Sequence, residues 1–140
     1  MTKLAVLAMT VLAATALADS RKLDIKQADL HWMQPFGPQG PQFGFVEGKF
    51  GDTHPASFFI RFGAGGDSGW HFHNHDYKAV VLAGTFTEQQ DGEASETQLP
   101  PGTFFTQPAK VTHRNGCLKG TECLVYVHFD DGADSTPVKH

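Results

Sequence analysis

The 140-residue chain carries 11 Lys and Arg against 15 Asp and Glu. It shows neither a basic patch nor basic–aromatic interleaving, which argues against a nucleic-acid partner. Fifteen Gly and eight Pro beside twelve Phe suit many turns between aromatic-rich strands.

In chain order, Lys3 precedes an apolar, Ala-rich run that ends in Ala16-Leu17-Ala18. A charge, a short apolar stretch and a small-residue site read as a secretory signal peptide over residues 1–18, cut before Asp19. The run is too short for a confident membrane span. The expectation is a single domain over 19–140, periplasmic or secreted, with no membrane contact after cleavage. Residues 19–34 are polar and mixed, with Ile25, Leu30, Trp32 and Met33 available for a short edge strand and an apolar lid. Residues 35–41 are a Pro/Gly loop.

Strand signals follow over 43–50 and over 57–62. In the second, Phe58, Ile60 and Phe62 share one face, and Phe59 and Arg61 share the other. If the latter face is interior, Arg61 would bind an anionic substrate; if it is exterior, Arg61 is a solvated side chain. The glycine-rich stretch 63–69 lacks a following Lys-Ser/Thr, so it reads as a tight bend before His71 rather than a phosphate cradle. Residues 77–89 read as one long strand kinked at Gly84. Shorter strands are expected near 96–99, 103–106 and 111–114, and a strong one lies within 121–130. Residues 131–140 read as a loose tail. About nine or ten short strands with no amphipathic helical period indicate an all-β sandwich or barrel.

The chemistry concentrates in Trp-His71-Phe-His73-Asn-His75-Asp-Tyr77. In a strand, His71 and His73 project to one face, and converging neutral imidazoles suit a divalent metal. His113 is the candidate third ligand. His75 is a candidate fourth if the strand continues, and a solvent-facing turn residue if it does not. Cys117 and Cys123 flank a Gly-containing turn. In an oxidising compartment such a pair forms a disulfide; the alternative makes Cys117 a ligand or redox thiol.

Gly65, His71, His73 and Gly84 fall at fixed spacings, as do Gly102, Pro108 and His113 further on. These two segments resemble the paired motifs of the cupin family. Tyr77 stands where that family places a Glu, Lys110 replaces its second Gly and Cys117 replaces its Asn. The resemblance implies an all-β cupin-type jelly-roll barrel (a double-stranded β-helix) with His71, His73 and His113 around one divalent ion. Tyr77 then either hydrogen-bonds a substrate or a metal-bound water, as a catalytic residue, or simply fills the barrel. A three-His site resembles the cupin dioxygenases that cleave diketones and aryl ketones, which implies Fe(II). Zn would instead suit a hydrolase or isomerase; Mn, Ni and Cu are further candidate ions, and a non-catalytic module would hold a metal or small ligand without turnover. The expected partner is a small molecule, and dimerisation through an edge strand stays open.

Overall fold

The computed structural model describes residues 22–140; the expected signal peptide lies outside them. Among the described residues no helix is long and apolar enough to cross a membrane. After a single 3-10 turn, Gln27–Asp29, the chain forms β1 (Trp32–Met33), β2 (Gln42–Glu47), β3 (Ala56–Phe62), β4 (His71–Phe72), β5 (Tyr77–Ala83) and β6 (Phe86–Gln90). It continues through β7 (Thr97–Leu99), β8 (Phe104–Gln107), β9 (His113–Cys117), β10 (Cys123–Phe129) and β11 (Thr136–Pro137). The strands make two antiparallel sheets, ordered β1-β2-β3-β10-β5-β8 and β11-β4-β9-β6-β7. The expected all-β architecture is therefore present.

Alternation along each strand builds the core between the sheets. On β3, Phe58 and Phe62 are buried while Arg61 is exposed. On β10, Cys123, Val125, Val127 and Phe129 are buried, which puts Tyr126 and His128 on the outer face. Phe86 from the second sheet packs edge-on against Phe62, ring centroids 5.6 Å apart. Period-two burial of aromatic and branched side chains on both inner faces is what holds two sheets together.

The stretch 77–89, read as one kinked strand, is two strands in different sheets. Gly84 makes the crossing: its φ is +74° and a Cβ there would sit 2.3 Å from the Glu122 carbonyl oxygen. Only Gly supplies that conformation and that clearance.

The loose-tail expectation for 131–140 is corrected. Ala133 is fully buried and forms a parallel bridge with Phe50. β11 pairs with β4, the Val138 amide donates to the Trp70 carbonyl at 2.9 Å, and the His140 ring stacks on Trp70 at 4.2 Å. The segment lacks periodicity because it is a short strap. It docks because β4 needs a second hydrogen-bonding neighbour besides β9.

Cys117 and Cys123 form a disulfide, with Cα atoms 5.7 Å apart. It joins the end of β9 to the start of β10, and so links the two sheets.

Candidate metal centre

β4 and β9 pair with His71 directly opposite His113. His73 follows two residues along the same face as His71. The three rings form a compact cluster, with centroids 4.9 Å (His71–His73), 4.4 Å (His71–His113) and 5.1 Å (His73–His113) apart. One ring nitrogen from each lies within 4.8 Å of the others, and all three residues are buried.

Each ring is oriented by a backbone carbonyl. His71 Nδ1 donates to the Gly69 oxygen at 2.9 Å, His113 Nδ1 to the Val111 oxygen at 2.9 Å, and His73 Nδ1 to the Asp134 oxygen. These bonds fix the tautomer, so each Nε2 keeps its lone pair. Among the described residues, His113 Nε2 is buried with no hydrogen-bond partner. Burial depresses the basicity of all three. It lowers His71, takes His73 to about 4 with help from the His71 charge, and takes His113 to about 3, again with help from His71. Three neutral imidazoles with inward lone pairs, one of them otherwise unsatisfied, fit a divalent transition metal.

Tyr77, at the start of β5, packs its ring edge-on to His73 at 5.2 Å and against Phe129 at 5.2 Å. Burial, and secondarily the Glu88 charge, push its hydroxyl far above the ordinary tyrosine value. The phenol is therefore neutral and can donate a hydrogen bond. Ser68 Oγ approaches His71 Nδ1 at 3.4 Å.

The remaining sequence candidates lie elsewhere. His75 is exposed and outside the cluster, because the chain turns between β4 and β5 instead of continuing as a strand. Arg61 is exposed on the outer face of β3, where its guanidinium lies over the Trp32 ring at 4.1 Å and donates to Gln42. It cannot reach the cavity, because Phe58, Ile60 and Phe62 take the inner face.

Lys110, at the position of the second motif glycine, adopts φ +64° and donates its amide to the His73 carbonyl at 2.8 Å. The left-handed turn that the motif encodes with Gly is thus kept by Lys, at some strain.

Sequence reasoning missed three polar residues of the inner surface. Gln107 on β8 is the Cα partner of Tyr77 and is fully buried. Asn115 follows His113 by two on β9 and is buried. Glu88 on β6 is the Cα partner of Asn115, and burial, then Glu93, raises its carboxyl above the usual range. The alternation of β8 and β9 was the available signal, but it becomes legible only once the inner face is known.

A cavity of about 60 Å3 adjoins the cluster, lined by His71, His73, Tyr77 and Asn115 and otherwise mainly by apolar side chains, including Phe58, Phe105 and Phe129.

Residues 23–137 match the family described as "Domain of unknown function (DUF4437)". The chain belongs to this family. No curated protein matches it. Among solved structures it is similar to an RmlC-like cupin from Shewanella frigidimarina, at TM-score 0.63 and 19% identity, covering 80% of this chain and 93% of that one. It is also similar to the polyketide cyclase RemF from Streptomyces resistomycificus, at TM-score 0.69 and 14% identity, covering 86% and 87%. A third is the DMSP lyase DddQ from Ruegeria pomeroyi, at TM-score 0.67 and 16% identity; the match covers 79% of this chain and 62% of the lyase, so this chain spans about three fifths of the lyase's length. At these identities the likeness establishes the fold, which is the cupin jelly roll. The DUF4437 chain thus has the cupin jelly-roll fold, with a three-His cluster that suits a metal.

Proposed function

We propose that this protein is an exported, metal-dependent cupin enzyme that binds a small, largely apolar ketone through its enolate oxygen. The observation that carries the reading is the donor set: three buried neutral imidazoles, each with Nδ1 held by a carbonyl, and no carboxylate in the cluster among the described residues. A divalent ion held by His71, His73 and His113 would supply Lewis acidity towards a carbonyl or enolate oxygen and, as iron, reactivity towards dioxygen. Because the ligands are neutral, the site favours an anionic oxygen. Tyr77 offers a neutral hydroxyl beside His73 to hold that oxygen, and the Phe side chains exclude water around the apolar body. His75 and Arg61 have no part in this reading. The disulfide fits an oxidising compartment, which supports export to the periplasm or beyond.

Oxidative cleavage of the bound ketone, with Fe(II), is the first reaction of this reading. A second is non-redox isomerisation or lysis with Zn(II). It is favoured by Glu88, a part-buried inner carboxyl that holds its proton above the usual range and could move a proton. The similarity to a lyase and a cyclase points the same way.

The test is elemental analysis of exported protein purified without chelators, followed by assay with a β-diketone and an aryl ketone. Iron with stoichiometric O₂ uptake supports cleavage, and zinc with product formed under nitrogen supports the second reaction. Bound metal with no turnover would make the protein a binding module, and absence of metal would remove the proposal.

A further inference from the structure

The three-His cluster has to be reached from outside. His71 and His73 are each 7% exposed and His113 0%, so an ion or ligand arrives through the adjoining cavity. The C-terminal strap lines that cavity through Asp134, Ser135 and Pro137, and the loop joining β1 to β2 lines it through Phe36 and Pro41.

These two segments are held very differently. The strap is hydrogen-bonded to the barrel along its length. The Ala133 carbonyl accepts from the Gly51 amide at 2.9 Å, the Asp134 carbonyl from His73, β11 pairs with β4, and the Val138 amide donates to the Trp70 carbonyl. Moving it would break several of these bonds. The loop is braced on itself instead. Among the described residues, the hydrogen bonds of residues 35–40 all close within it: the Gly40 amide donates to the Gly37 carbonyl at 3.1 Å, and Gln34 Nε2, at the base, donates to the Pro38 and Gly40 carbonyls at 3.0 and 2.8 Å. Its tip reaches the core through one aromatic side chain. Phe36 is 40% exposed and sets its ring edge-on to Phe43 at 5.7 Å and to Phe50 at 6.1 Å. Lifting the loop therefore breaks no hydrogen bond of residues 35–40 to the barrel and costs the contacts of that ring.

We infer that residues 34–41 are a lid over the metal cavity, with Phe36 as its latch. The inference rests on the metal reading above and adds how the site is reached. Closed, the Phe36 ring completes the apolar wall and keeps water out. Open, the loop turns as one piece about its ends at β1 and β2, the kind of hinge that loop ends supply, and clears the way for ion and substrate. Phe36 packs on Phe43 and Phe50 rather than on the imidazoles. The latch therefore sets the rates of entry and exit and leaves the metal affinity alone.

The experiment measures both rates on the full chain by stopped flow: zinc uptake by metal-free protein, read with a fluorescent zinc indicator, and zinc release into excess chelator. Phe36→Ala should speed uptake and release alike, by about tenfold or more, with the zinc Kd within about twofold of wild type. Phe36→Tyr keeps the ring and should keep the wild-type rates. Gln34→Ala, which removes the brace, should also speed both. Unchanged rates in Phe36→Ala overturn the inference, and so does faster release without faster uptake, which marks a damaged site rather than an opened lid. Either result leaves the metal reading intact, whereas a wild type that takes up no zinc removes that reading and the lid together. If Phe36→Ala does not fold, Gln34→Ala decides by the same two rates.

Discussion

The carbonyl of Asp134 accepts the Nδ1 hydrogen of His73 from 61 positions along the chain. This bond ties the C-terminal strap to the metal cluster. The Asp134 carboxylate reinforces it by accepting from the Asn74 amide at 2.9 Å. Deleting residues 133–140 should therefore weaken metal binding about 10–100-fold, the usual scale for losing a group that orients a ligand. Asp134→Ala keeps the carbonyl and should cost less. Metal titration by calorimetry checks both; unchanged affinity in the truncated chain would show that the strap has no share in the site.

The pH dependence follows from the depressed imidazoles. In the unfolded chain His73 and His113 protonate near 6.5, whereas in the fold they stay neutral down to about 4 and about 3. Between those values the unfolded state binds more protons. The stability they contribute is complete above about pH 6.5 and is lost as the pH falls towards 4. For His73 alone the loss is about 3 kcal/mol. Urea unfolding of metal-free protein across this range should show the decline. For the same reason, metal uptake should persist at about pH 5.5, where a free imidazole is mostly protonated.

Tyr77→Phe removes one hydroxyl from a ring that is otherwise held by His73 and Phe129. Metal content and melting temperature should stay close to wild type, while turnover falls by about 100-fold or more if the phenol handles a proton. Loss of metal in this variant would instead make Tyr77 a ligand.

The Cys117–Cys123 bond closes a short loop, with a sequence separation of 6. Chain-entropy reasoning gives a stabilisation of about 2 kcal/mol. Denaturant unfolding with and without reductant should show a difference of that order, and thiol titration of the denatured, unreduced protein should find no free thiol.

What could be read from the sequence was what a single strand contains. His71 and His73 share a face by period two, His113 stands at a fixed distance after Gly102 and Pro108, and the cysteines flank a turn. What depended on how strands face one another could not be read. The alternation of Arg61 against Phe58 and Phe62 was plain, but which set is interior is decided by β10 and the opposite sheet. Gln107, Glu88 and Asn115 were hidden for the same reason: a polar residue in an alternating strand looks solvent-facing until its neighbours are placed. The strap at 131–140 gave no periodic signal, because its docking is spread over single contacts: the two strand residues, the buried Ala133, the Asp134 oxygens on His73 and Asn74, and Val138 and His140 on Trp70. His75 failed as a ligand candidate because the strand stops before it.

The central claim is that His71, His73 and His113 hold one divalent metal. Its most direct measurement is the metal-to-protein ratio, by elemental analysis, of wild type and His113→Ala exported and purified in parallel. His113 is fully buried at the cluster with an unpartnered Nε2, so the account predicts about one ion per chain in the wild type and most of it lost in the variant. Equal metal content in the two proteins would contradict it.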